Sequence, residues 1–255
     1  MNLSVTRTVL LTAAAFFCCT GTGQAKSVTF MDDDIYFPGY GSTATSYPAD
    51  AYGTPVITSM TVDWDAGGTN RLEKVTLHLS ERGIQNFDSL FINTDYNPDI
   101  DDDWSSWNYF VHGGGSTNAD KTDGIVPRNG LYAVNNNFEY TLNDEGGRED
   151  HPNGIDAGFL GPRLARQDNT PEYHTNSYSR LYSASGLTLT YDFTRLTDGI
   201  ILGDSFAFAY SPWCANDIII GTYNGDPVPE PATLLLFGSG ILGIAGLRRR
   251  QKATR

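Results

Sequence analysis

The chain has 255 residues and a formal net charge of -13, a length that allows one or two domains. Residues 26–228 are more acidic still, with 11 Lys or Arg against 29 Asp or Glu, a net −18. Such a body excludes nucleic-acid binding through phosphates, which requires clustered Lys and Arg, and favours solubility, cation binding and repulsion from anionic membranes.

Residues 1–25, "MNLSVTRTVLLTAAAFFCCTGTGQA", carry one positive charge (Arg7), an apolar stretch over 9–17 and the ending Gly23-Gln24-Ala25. This order predicts a secretory signal peptide cut after Ala25. The competing reading, an uncleaved anchor, asks a short run to span a bilayer. Cys18 and Cys19 leave with the leader, so Cys214 is the one remaining cysteine and no intramolecular disulfide can form. Stability must come from the core, which about 200 residues are enough to supply.

The body, residues 26–226, reads as short strands in chain order: 55–63, 71–80, 89–93, 107–111, 131–134, 138–142, 186–193, 205–210 and 217–222. In "RLEKVTLHLS" Leu72, Val75, Leu77 and Leu79 fall mainly on one face; in "GLTLTYDF" Leu187, Leu189, Tyr191 and Phe193 do so. "SFAFAY" alternates Phe206, Phe208 and Tyr210 with alanines, small against large, as the narrow inside of a sandwich would use. Period-two alternation marks half-buried strands, and the Gly, Asn, Asp and Pro clusters between them mark turns. No helical apolar stripe appears. The expectation is an all-β, antiparallel sandwich or jelly roll, two sheets face to face, in one domain with a loop-rich insertion at about 143–185. A parallel β-helix would need a fixed repeat, and none is present.

"NTDYNPDIDDDW" alternates oxygen-bearing side chains at Asn93, Asp95, Asn97, Asp99 and Asp101, with Asp102 and Asp103 following. Calcium takes six to eight oxygens, and a curved loop can converge such side chains on one ion. The EF-hand glycine and glutamate are absent, and a solvated acidic loop explains the same residues. The triplet 32–34 is a second, weaker acidic run. Trp104 and Trp107, with Tyr109 and Phe110, offer rings that could stack on sugars beside Asp and Asn; the alternative is that they fill the core. Catalytic patterns are poor. "GDS" at 203–205 has no histidine after it, since His174 is the last of His78, His112, His151 and His174, and no two histidines share metalloprotease spacing. Cys214 has no neighbouring base. Paired carboxylates for glycoside hydrolysis are not singled out.

The chain ends in "VPEPATLLLFGSGILGIAGLRRR", residues 228–250. The apolar run 232–247 would form a helix about 24 Å long, short of the ~30 Å hydrocarbon core. Its four glycines are common in membrane helices. Arg248, Arg249 and Arg250 would hold the tip in the cytoplasm and leave the body outside, the orientation the leader also predicts. Pro229-Glu230-Pro231, the apolar run and the arginine block together resemble the PEP-CTERM sorting signal of Gram-negative bacteria, over residues 227–251. The resemblance implies an exosortase-type membrane protease as partner, a transient stay in the inner membrane, export to the cell surface, and association with exopolysaccharide and biofilm. The expected body is then a non-enzymatic structural or binding module with calcium as candidate cofactor. The alternatives are a carbohydrate-binding module using Trp104 or Trp107, and a polysaccharide hydrolase with two carboxylates in a cleft.

Overall fold

The computed structural model describes residues 25–32, 56–65, 67–81, 88–99, 106–113, 128–142, 152–168, 176–183, 187–212 and 217–225. Its strands are β1 (Ala25–Met31), β2 (Val56–Asp65), β3 (Leu72–Glu81), β4 (Asp88–Asn93), β5 (Tyr109–His112), β6 (Gly130–Val134), β7 (Tyr140–Leu142), β8 (Pro152–Ile155), β9 (Leu160–Gln167), β10 (Ser177–Tyr182), β11 (Thr188–Asp192), β12 (Phe206–Pro212) and β13 (Ile219–Tyr223). A single 3-10 turn, Ala157–Phe159, is the only helical element among the described residues, with the Asp156 carboxylate accepting from Gly158 N. The protein is all-β, as its alternation predicts.

Eleven strands form one sheet in the order β1-β2-β3-β11-β10-β9-β6-β5-β4-β12-β13, and β7 pairs with β8 separately. Where the sequence predicts two sheets packed face to face, a single sheet curls around its own core. The pairs are antiparallel except β10 with β9, where only Ser177 with Arg166 and Tyr178 with Gln167 are in register. This short parallel junction joins the two halves of the wrap.

The curl has a sequence origin. In β3 the buried residues Leu72 and Val75 are three apart, which a regular strand would send to opposite faces. The pairing of Asp63 with Lys74 and of Trp64 with Leu72 skips Glu73. That β-bulge returns both side chains to the core and bends the strand. A second register break, between Ile57 and Ser59 of β2, does the same for Ile57 and Met60, both buried.

Two apolar cores result. The larger fills the inside of the curl: Val75, Leu77, Leu189 and Tyr191 from one half meet Leu90, Ile92, Phe206 and Phe208 from the other. The smaller lies on the opposite face of β4, β5, β12 and β13, where Phe91, Trp107, Phe110, Ala207, Ala209 and Ile220 are covered by Ile155 and Tyr140 of the β7–β8 pair. The alanines of β12 therefore face this second core and not the inside of the main wrap. Every residue of β12 is buried, because its sheet is covered on both faces.

The segment at 143–185, read from the sequence as a loop-rich insertion, contains β8, the 3-10 turn, β9 and β10. It is poor in apolar side chains because hydrogen bonds fix β8. Ser89 Oγ donates to the Asn153 carbonyl (2.6 Å), Ser211 Oγ to that of Pro152 (2.8 Å), and Thr141 Oγ1 to Asn153 Oδ1 (2.9 Å), all buried.

The last strand returns to the first. β13 comes back against β1 and β2, and side chains make the closure. The Trp64 ring meets those of Phe206 and Tyr223 at 5.1 and 5.4 Å, the buried Asp217 carboxylate accepts from Ile57 N, and the Phe30 ring lies directly over Gly221. A Cβ at Gly221 would sit 2.2 Å from that ring, so the seam needs glycine there. Gly221→Ala is expected to cost about 1–3 kcal/mol by overpacking. In a Phe30→Ala background the added cost should largely vanish, measured by urea denaturation as a double-mutant cycle; an equal cost in both backgrounds would mean that the ring does not close the seam.

Candidate functional site

The acidic loop leaves the end of β4. Asn93 is buried at 4 % exposure, and its Oδ1 accepts from Asp95 N at 3.0 Å. Asn97 Oδ1 accepts from Asp99 N, also at 3.0 Å. The two-residue alternation thus places two asparagines where each closes a turn on the backbone ahead of it, a standard use of Asn. Neighbouring bonds tie the loop down: Asn108 Oδ1 accepts from Thr94 N (2.6 Å), Gly203 N donates to Thr94 O (2.7 Å), and Tyr96 N to Ser205 O (3.1 Å). Asp95 and Asp99 are exposed, while Tyr96 between them is buried. No group of three or more His, Cys, Asp or Glu side chains that could hold a metal occurs among the described residues; Asp101 lies outside them.

Trp107 is inside the protein, 4 % exposed. Its ring packs on Phe91 at 5.4 Å, and its Nε1 donates to Tyr140 Oη at 2.6 Å. It has no free face for a sugar, because β7 and β8 cover the sheet at that point. Trp104 lies outside the described residues. The partner Tyr140 is not identifiable from sequence spacing, since only the docking of β7–β8 brings it to the indole.

The catalytic residue types are likewise dispersed. His78 sits on β3 with Nε2 3.5 Å from Thr61 Oγ1, and His112 is buried in β5; His151, His174 and Cys214 lie outside the described residues. A cavity of about 250 Å³ is lined by Tyr109, Leu164, Asn176, Leu196 and Asp198 among others. Among the described lining residues Asp198 is the one carboxylate.

Chain geometry at the two ends is more informative. β1 begins with Ala25 paired to Asp65 and Lys26 to Trp64. β13 ends at Tyr223, whose ring touches Trp64. Gly225 then turns the chain with φ of 66°, and a Cβ there would lie 2.8 Å from the Asp204 carbonyl oxygen. First and last strands therefore meet the rest of the chain at one end of the body, and six residues after Gly225 comes Pro231, the last of the sorting tripeptide. Pro229, Glu230, Pro231, the run 232–247 and Arg248, Arg249 and Arg250 lie outside the described residues. No described helix is long and apolar enough to cross a membrane.

Comparison with known families finds the PEP-CTERM protein-sorting motif at residues 227–250. No curated protein and no solved structure matches the chain. The motif identifies an exported protein that is sorted through exosortase, a membrane protease, on its way across the membrane to the cell surface.

Two substitutions separate structural from ligand-binding roles. Trp107→Ala should lower stability by about 3–5 kcal/mol, whereas an exposed sugar-stacking ring would change it by no more than about 0.5 kcal/mol; urea unfolding distinguishes them. Asn97→Ala should cost about 0.5–1.5 kcal/mol through its lost turn bond, equally with calcium or with a chelator. A cost confined to the calcium sample would make Asn97 a metal ligand.

Proposed function

We propose that the protein is a component of the cell envelope or exopolysaccharide matrix of a Gram-negative bacterium, associated with biofilm, whose body acts as a non-enzymatic structural or binding module. The observation that carries this reading is the complete sorting tail, 227–250, placed directly after a folded all-β body. The tail inserts residues 232–247 beside the protease. The arginines stop further passage, because cationic flanks stay on the cytoplasmic side. Cleavage near the tripeptide then frees the body, by the logic of other removable hydrophobic tails.

The body's composition supports a durable extracellular part. Its cores are aromatic-rich, with Tyr178, Tyr191, Tyr210, Phe91, Phe110, Phe193, Phe206 and Phe208 fully buried, and its surface charge keeps it soluble. The burial of Trp107 leaves the carbohydrate-stacking alternative to rest on Trp104.

Replacing Pro229, Glu230 and Pro231 together by alanine should leave export intact and block release. The longer form should accumulate in the membrane fraction, and the surface and matrix fractions should lose most of the protein on immunoblots. Unchanged release would remove the tripeptide from the account. Incubation of the released protein with exopolysaccharide from the producing cells should liberate no reducing ends; time-dependent liberation, abolished on boiling the protein, would make it a hydrolase.

A further inference from the structure

Residue counts and the position of the chain ends together fix how the body can stand over a membrane. From Gly225 to Ala232, the first residue of the apolar run, the chain advances seven residues, which extend to about 25 Å at most. The body itself, at about 200 residues, is roughly 40 Å across. The tether is shorter than the object it holds and attaches at one end of it, so the body cannot turn over freely.

The attachment end is built from several elements. It contains the start of β1 at Ala25, the turn between β2 and β3, the loop after β4, the segment between β11 and β12, and the exit at Gly225. Arg71 forms an isolated bridge with Ile201, and Leu72 N donates to Ile200 O at 2.8 Å, which fixes the β11–β12 segment across this end. Among the described residues its exposed charges are Asp95, Asp99, Asp198 and Asp204 against Lys26, Lys74 and Arg195, and the half-buried Asp63, Asp65, Glu73 and Asp192 outweigh the half-buried Arg71.

We propose that while the tail is embedded, this acidic end of the body faces the membrane surface and stands off from it. The proposal rests on the reading of 232–247 as the membrane-inserted segment. Repulsion from anionic headgroups decays over about 8–10 Å at ordinary ionic strength, less than half the tether's reach. The acidic end is therefore held away from the lipid, within the reach that the seven residues allow. Pro229, Glu230 and Pro231 occupy the membrane-proximal part of that tether, so a membrane protease reaches them without the body having to unfold. The opposite end carries Met31 and Leu187, 67 % and 44 % exposed. Met31 is six residues up β1 from Ala25, about 20 Å further out.

The test uses the leader-free chain from Lys26 with its tail intact, in liposomes containing anionic lipid, with Cys214 replaced by Ser and one donor dye attached at a time. Asp198→Cys and Asp204→Cys report the acidic end, and Met31→Cys and Leu187→Cys the opposite one. Energy transfer to an acceptor on the lipid headgroups should be several-fold stronger from both acidic-end positions than from both distal ones. A long Gly/Ser insertion after Gly225 should bring the four values together. Equal transfer from all four positions without the insertion, or stronger transfer from Met31→Cys and Leu187→Cys, would overturn the orientation. Release of the chain from the liposomes by alkaline carbonate is a separate result: it would remove the inserted tail, and with it the basis of the proposal.

Discussion

Closure of the sheet at the β13 seam is the constraint on which the rest of the structure depends. An eleven-stranded sheet that stayed open would expose its apolar inner face over its whole length. Here the last strand returns to the first two, and side chains seal the join: Trp64 between Phe206 and Tyr223, Phe30 over Gly221, and Asp217 on the Ile57 amide. Hydrogen bonds between β1 and β13 are not part of the sheet order, so packing shape carries the closure. This explains why a glycine, a bulky ring and a buried carboxylate are concentrated along one line.

The seam also decides where the chain begins and ends its fold. Because β1 and β13 are the two edges and lie against one another, the chain enters the fold at Ala25 beside the point where it leaves it at Gly225. The predicted leader cut, between Ala25 and Lys26, falls at the first two pairs of β1 with β2. A bond within a closed ladder is protected from proteolysis until that ladder opens.

Most of the strands were legible because each has one apolar face. Leu77 and Leu79 in β3, Leu189 and Tyr191 in β11, and Phe206, Phe208 and Tyr210 in β12 alternate with polar or small residues, and all are buried. What could not be read follows from other physics. β1 buries only part of Val28 and Phe30, too little to stand out from the leader that precedes it. β8 is held by serine and threonine hydroxyls, which leave no apolar pattern. β12 is covered on both sides, so its alanines face a core that alternation alone assigns to solvent or to the sandwich interior. Among candidate site residues, Asn93 and Asn97 had the spacing of calcium ligands, but the same spacing closes successive turns. Trp107 had the composition of a sugar platform, but its environment was set by β7–β8, distant in sequence. The sorting tail was readable because its chemistry is local: a tripeptide, an apolar run and three arginines in sequence order.

The proposed function requires that two lipid-directed ends are removed from an acidic β body that folds outside the cytoplasm. Intact mass spectrometry of the protein collected from the cell surface tests this most directly. The predicted result is a chain that starts at Lys26 and ends before Ala232, with any attached glycan visible as added mass. A full-length chain of 255 residues, recovered soluble from the cytoplasm with both ends present, would contradict it.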